Sequence, residues 1–577
     1  LSQKPNKGKN KKHKKRKELP PKLEQKVDQY EDRLRQTYRR ESDLETIKRK
    51  LFQFQETLYE REVEEDNRDE ASIRIEEHEL INHTMIFSMV SMAILLIACL
   101  VFQDKVDDFA AMVGGGIKTY LSWFYMLLSF LFLVFLVYLA FTRYGNVVLG
   151  DPASEPEFSN TSWYAMLFSA GMGVGLMFYG GSEPFIHYLQ PPEGDPASVD
   201  SLKMAFALSA FNWGLSAWGI YTLCALGVAY FGFRRRKKYL MSSSTIDLFQ
   251  GKRSRYAWKV FTDTVSTLAI VFGIGTSLGM GVLQMATGLE HCYGLAAKSG
   301  WGYAGILLAM TICFLASATT GLDKGIKILS NFNMILALAL LLFVFVLGPS
   351  IKILDTFVES LGFYLSNIVN LSLSTGAAEA QTKAYVGDWP VTILAWTIAW
   401  APFVGVFIAR ISRGRTLREV ILGSLIMPTV LCMFWFATFG GSVLELHFAN
   451  PELGLDKLVL DDKTSALFVL LESLPLTGIT EFLSILLIFV FLVTSADSAT
   501  FVVAMMTTEG DLDPGLKIKM VWGLIIATIT FILLNSGGLQ ALQAASLVFA
   551  LPFSIVLIGV MLSLYVRLSH QISSRRV

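Results

Sequence analysis

Between Ser169 and Pro184 the chain reads Ser-Ala-Gly-Met-Gly-Val-Gly-Leu-Met-Phe-Tyr-Gly-Gly-Ser-Glu-Pro, with Gly171, Gly173 and Gly175 at alternate positions. The apolar run around them is long enough to cross a bilayer. A glycine costs a helix about 1 kcal/mol relative to alanine, so three in five residues favour a break. Hydrocarbon offers no water to the backbone groups that a break frees. Such a break survives only where it is buried or lines a cavity, and there its N–H and C=O groups can hold a solute or an ion. Close packing of two helices is the competing use of small residues in membranes. A nucleotide-binding glycine loop does not fit, because no strand precedes the run.

The rest of the chain matches that setting. Of 577 residues, 53% are hydrophobic and 17% charged, with a mean hydropathy of +0.46. This is the profile of an all-α polytopic membrane protein with a charged appendage. The net charge of +1 averages two unlike regions. Positions 1–50 carry 18 Lys/Arg against 8 Asp/Glu, and positions 51–80 carry 3 against 11. Residues 1–80 are therefore expected to form a charged cytoplasmic tail, residues 81–567 the membrane domain, and residues 568–577 a short cytoplasmic C-terminal tail. Five scattered cysteines show no metal or disulfide spacing and read as small core residues.

Twelve apolar spans are expected, near 83–103, 116–142, 158–180, 203–231, 259–285, 302–320, 328–348, 390–409, 418–440, 480–506, 518–535 and 546–567. Basic clusters at Arg234–Lys238, Lys324 and Lys327, Arg410–Arg418, Lys517 and Lys519, and Arg567 with Arg575 and Arg576 all fall on one side. Acidic loops at Glu183–Asp200, Asp355–Asp388 and Glu445–Asp462 fall on the other. Positive charge marks the cytoplasm, which predicts a multi-pass plasma-membrane protein with both termini inside. Ile351, Leu354, Phe357, Leu361 and Tyr364 recur at helical spacing in a segment too polar to span, so an amphipathic helix along the outer surface is expected. It separates spans 3–7 from spans 8–12. The first group opens on the glycine run and the second on a helix with Pro402 and Gly405. Paired interruptions of this kind point to an inverted-repeat transporter with a site near the midplane.

Three further stretches carry a family resemblance. They are Phe-Asn-Trp213-Gly-Leu-Ser-Ala-Trp218-Gly-Ile-Tyr221, the span-eight run from Trp396 through Trp400, Pro402, Phe403 and Phe407 to Arg415, and Thr494-Ser495-Ala-Asp497-Ser498. With the glycine run they closely resemble the betaine/choline/carnitine transporters, over about residues 83–567. The resemblance implies a leucine-transporter-like inverted repeat on spans 3–12, alternating access, and a homotrimer.

It also implies a solute with a methylated ammonium or sulfonium group, which has no N–H to donate. An aromatic face is the fitting partner, worth about 2 kcal/mol or more when desolvated. Trp213, Trp218 and Tyr221 cover an arc of about 140° on span four, and Trp396, Trp400, Phe403 and Phe407 a stripe about 60° wide on span eight. Two such walls make a cage, with Phe403 and Phe407 closing its inner side. Each ring alone reads equally well as a packing or lipid-facing aromatic. Betaine carriers of the family have a tandem Trp-Trp in span eight, whereas here Thr397 follows Trp396. That leaves room for a cyclic zwitterion such as ectoine, whose N–H the Thr397 hydroxyl would accept. Choline-type relatives place an aspartate where this chain has Gly175, so the solute here is expected to bring its own carboxylate, received by N–H groups of the Gly171–Gly175 stretch.

No cofactor is expected. The coupling ion implied by the family pattern is sodium, held by hydroxyls of Thr494 and Ser495 and carbonyls of Ser169, Met172 and Phe491. Hydroxyls in membrane helices also bond to a carbonyl one turn back. A second sodium is not supported by Ile270 and Ile274 on span five. Asp497 is an ionisable residue within span ten and hence a functional candidate. The basic segment Lys4–Lys17 is expected to bind anionic lipid or the acidic stretch Glu60–Glu79. Proton-coupled or exchange transport of choline or carnitine, and a non-transporting osmosensor of the same fold, are the competing readings. Nothing suggests nucleic-acid binding, and no nucleophile–base pair in the spans suggests an enzyme.

Overall fold

The computed structural model describes residues 82–171, 173–320 and 323–573, together with positions 29, 30 and 34. The tail, Arg575 and Arg576 lie outside the described residues, as do the side chains of Lys324 and Lys327. Apolar sequence with few strand signals folds, among the described residues, into helices alone, apart from one isolated bridge between Val148 and Thr416.

Helices α1 (His83–Val101), α2 (Gln103–Tyr120) and α3 (Ser122–Phe141) open the domain. The third span is three pieces: α4 (Asn160–Gly171), α5 (Val174–Tyr179) and α6 (Ser182–Leu189). The fourth is two, α7 (Val199–Trp213) and α8 (Leu215–Ala229). Then follow α9 (Lys252–Tyr293), α10 (Gly300–Thr320), α11 (Asp323–Leu347) and the outer helix α12 (Ser350–Leu373). The second group comprises α13 (Ala380–Val386) with α14 (Thr392–Ile411), α15 (Leu417–Ala449), α16 (Thr477–Thr507), α17 (Leu516–Ser536) and α18 (Gly538–Ser573). Among the described residues, 11 helices are long and apolar enough to cross a membrane. The twelfth crossing is the broken third span, none of whose pieces reaches that length alone.

Corresponding members of the two groups pack on each other: α4 on α14, α8 on α15, α9 on α16 and α10 on α17. The fifth pair, α11 and α18, does not pack together in this way among the described residues, and the four contacts are consistent with an inverted repeat.

Four expectations need correction. Residues 103–120 form a separate helix, because Asp104, Lys105, Asp107 and Asp108 make this segment too polar to continue α1. Span four is not continuous. Gly214 leaves the helix (φ −98°, ψ −131°), and a Cβ there would lie 2.3 Å from the Ala210 carbonyl oxygen. The freed Leu215 N–H donates to the Tyr364 hydroxyl of α12 at 3.3 Å. Span eight, by contrast, runs unbroken through Pro402 and Gly405, and its irregularity is a π turn at Gly387–Val391 around Pro390. Gly405 serves contact instead: its Cβ would meet the Cys224 sulfur of α8 at 2.5 Å. Finally, the buried stripe of α12 contains Ile353, Ser360 and Tyr364, while Ile351 and Leu354 are exposed.

The basic loops do gather on one face. Arg236 pairs with Asp151 at 3.2 Å, and Lys237 and Arg567 converge on Asp247 at 2.9 and 2.7 Å. Burial raises the Asp247 carboxyl, but the two cations outweigh it and hold it below the ordinary carboxylate range.

Candidate functional site

The helix of the third span does break. Backbone at Gly173 is extended (φ −133°, ψ −179°), and α5 begins at Val174. Met172 lies outside the described residues, and of Ser169 and Gly171 only the backbone is described, within α4. Gly175 is not part of the opened stretch but lies in α5, where a Cβ would sit 2.4 Å from Trp213 Cη2 and 2.8 Å from Trp396 Cη2. Its missing side chain admits the rings.

A cavity of about 50 Å³ opens at this point, lined by Gly173, Gly175, Trp213, Trp218, Tyr221, Trp396, Thr397 and Trp400 among others. Eight of the eleven expected solute residues thus share one cavity. Phe403 lies one turn inward, its ring 5.5 Å from that of Trp400, and Phe407 packs against the core further along. Neither lines the cavity, which also takes in Val174, Leu176, Ala217 and Cys432.

The rings face each other across the cavity. Trp213 meets Trp396 of the other wall edge to face at 5.5 Å and 77°, while Trp218 and Tyr221, one turn apart on α8, meet at 5.6 Å and 86°. On the α14 side the indole N–H groups of Trp396 and Trp400 both donate to the Gly273 carbonyl of α9, at 3.2 and 2.8 Å. Trp400 also reaches the Ser277 hydroxyl at 3.0 Å. On the opposite side Trp213 Nε1 donates to Glu183 at 2.7 Å. Thr397 donates to the Ile393 carbonyl at 2.8 Å, and both it and Tyr221 line the cavity. Gln284 and Trp435 donate to the Met177 and Leu176 carbonyls of α5, at 2.7 and 2.9 Å. These side chains supply what a broken helix in hydrocarbon needs.

Gly273, Gln284, Trp435 and Glu183 escape the sequence reading. Glu183 was expected in an exposed acidic loop but is fully buried.

One turn outward, Phe178 and Trp389 reach the floor of a vestibule of about 1080 Å³. Lys463 lies over the Trp389 ring at 4.5 Å, and Lys298 pairs with Asp462 at 2.7 Å. Burial lowers the Lys463 ammonium, against the opposing pull of Glu183 and Asp388.

This arrangement fits one family in particular. Residues 83–573 match the model of the betaine/carnitine/choline family of transporters. The chain belongs to that family. It is 40% identical to the glycine betaine transporter OpuD of Bacillus subtilis (strain 168), over 81% of this chain and 90% of the relative. It is 42% identical to the ectoine/hydroxyectoine transporter of Virgibacillus pantothenticus, over 77% of this chain and 87% of the relative. A glycine betaine transporter of Acinetobacter baylyi is 36% identical over 82% and 71%. The betaine/carnitine/choline family membership makes this a multi-pass membrane transporter.

The expected ion ligands are brought only partly into view. Phe491, Thr494 and Ser495 lie on α16, which packs on α5. The Thr494 hydroxyl donates to the Val490 and Phe491 carbonyls at 2.9 and 3.1 Å, the one-turn-back bond that helix hydroxyls favour. Asp497 accepts from Ser317 of α10 at 3.2 Å, a helix-to-helix tie.

Proposed function

We propose that the chain imports a zwitterionic compatible solute, such as glycine betaine or ectoine, by sodium symport with alternating access across the cell membrane. The observation that carries this reading is the aromatic cavity set at the break of the third span. Rings of α7, α8 and α14 suit a cation that lacks N–H donors, and backbone around Gly173 suits its carboxylate. Two relatives named for betaine and one for ectoine carry solutes of this class. The Tyr221–Thr397 pair gives the cavity a polar corner, which favours a solute with its own N–H groups. Sodium would sit between α16 and the broken span, with Thr494, Ser495 and the carbonyls of Ser169, Met172 and Phe491 as its oxygen ligands, and would hold α5 in the solute-binding position. The excess of Lys and Arg in one set of loops supports a topology with both termini in the cytoplasm. The same reading includes a homotrimer and contact between the basic tail and anionic lipid.

The test is uptake into proteoliposomes with a panel of labelled betaine, ectoine, choline and carnitine, with and without an inward sodium gradient. Accumulation of betaine or ectoine only under the gradient is expected. Sodium-independent exchange of choline or carnitine would replace this reading.

A further inference from the structure

Glu183 stands in the first turn of α6 with no exposed surface. A buried carboxylate is costly unless its oxygens are met, and here N–H donors from two residues and a histidine ring nitrogen converge on it. Trp213 Nε1 donates to Oε2 at 2.7 Å and Asn212 Nδ2 to Oε1 at 2.8 Å. His187 Nε2 lies 3.4 Å from Oε1. Behind it, Tyr385 Oη is 2.9 Å from His187 Nδ1, and the His187 ring meets Trp389 edge to face at 4.6 Å. Trp389 lines the outer vestibule, and Trp213 lines the solute cavity. One continuous set of side chains therefore joins the vestibule floor to a ring of the cage.

The backbone gives this set a direction. Trp213 is the last residue of α7, immediately before the break at Gly214, so the helix beyond does not hold its ring. Glu183 belongs to the outer continuation of the broken span, one residue pair (Gly180 and Gly181, both with helical backbone angles) beyond α5. The strongest polar contact of Trp213 is thus to a different element from its own. We propose that Glu183 is a positioning residue for transport, fixing the Trp213 indole in the cavity and tying its orientation to α6. When the outer segment of the broken span moves, the ring moves with it. This rests on the solute-site reading above.

A double-mutant cycle on purified full-length protein tests it, read as solute affinity and as the split between KM and maximal uptake rate. Glu183→Gln keeps the shape and one acceptor, and Trp213→Phe keeps a ring but removes its N–H. Each single change is expected to raise the KM for solute about tenfold with the maximal rate less affected. The double variant should be no worse than the poorer single, since both remove the same bond. Multiplying effects, or an unchanged KM in Glu183→Gln, would overturn the proposal. Elution of each variant as a single sharp peak in detergent separates misfolding from loss of positioning. Glu183→Asp is a further arm: a shorter acid that recovers part of the affinity supports positioning, and one that behaves like Gln opposes it. Failure of the wild type to take up any zwitterion would instead defeat the functional reading.

Discussion

The two aromatic walls of the cavity are anchored in different ways. Trp396 and Trp400, on the continuous helix α14, share one main-chain acceptor, the Gly273 carbonyl of α9. Helix α9 is 42 residues long and is packed by α14, α16, α17 and α18. Its carbonyl cannot shift without the scaffold. Trp213, at the end of a broken helix, is held by a side-chain carboxylate on another fragment of broken helix. One wall is fixed to a long continuous helix, and the other to a short fragment of a broken one. A carrier needs both, because a site made only of frame would never open and one made only of fragments would not discriminate.

Gly175 is where the walls meet, and the largest effect is expected there. In Gly175→Val the new Cβ would lie within 2.8 Å of both Trp213 and Trp396. Overpacking of that kind costs about 1–3 kcal/mol, so solute affinity should fall by up to about 100-fold. Binding by isothermal titration to the purified variant checks this; affinity within twofold of wild type would mean the rings are not packed as described. Gly175→Asp changes two things at once, since the acid can enter only by displacing the same rings.

The difference in anchoring predicts an order for two matched substitutions. Trp213→Phe takes one donor from a buried charge, worth about 1.5–3 kcal/mol, or about tenfold or more in affinity. Trp400→Phe removes neutral bonding to the Gly273 carbonyl, which keeps Trp396 as donor, and to the Ser277 hydroxyl, worth about 0.5–1.5 kcal/mol, or about 3- to 10-fold. Solute KM for the pair should follow that order, and the reverse order would erase the distinction between the walls.

The frame also holds the broken span itself, through Gln284. Gln284→Leu leaves the Met177 carbonyl without its 2.7 Å donor in a dry interior. A stability loss of about 1–3 kcal/mol is expected, read as a lower midpoint of thermal denaturation in detergent. Saturating solute should recover part of it, because ligand binding favours the folded state. An unchanged midpoint would show that α5 needs no such support.

How much of this was legible in the sequence depends on the range of the cause. The cage residues announced themselves because aromatics at helical spacing and glycines at alternate positions are local patterns. The break at Gly214 was not readable, since a lone glycine in an apolar run is commonly tolerated. The close approach of the Ala210 carbonyl and of Thr429 of α15 leaves room only for a glycine there, and the Leu215 N–H freed by the break finds its partner far away in sequence, at Tyr364. Pro402 misled for the converse reason: the helix around it is held by close contact between Gly405 and Cys224, and the interruption falls earlier, at Pro390. Glu183 looked like a loop acid because its neighbours are Ser182 and Pro184, while the donors that bury it stand at Asn212 and Trp213.

The smallest expected effect lies at Thr397, a polar residue lining the cavity, and it bears on which solute is carried. Thr397 donates to its own helix, so its oxygen has acceptor capacity left for Tyr221 or for a solute N–H. Thr397→Val keeps the shape and removes that acceptor. A trimethylammonium solute has nothing to give the hydroxyl and should bind within about twofold of wild type, whereas a cyclic solute with N–H groups should lose about 3- to 10-fold, the worth of one neutral hydrogen bond. Competition between labelled betaine and unlabelled ectoine, run on both proteins, measures the ratio directly. An equal loss for the two solutes would mean that Thr397 acts only through Tyr221, and that the rings alone set the choice.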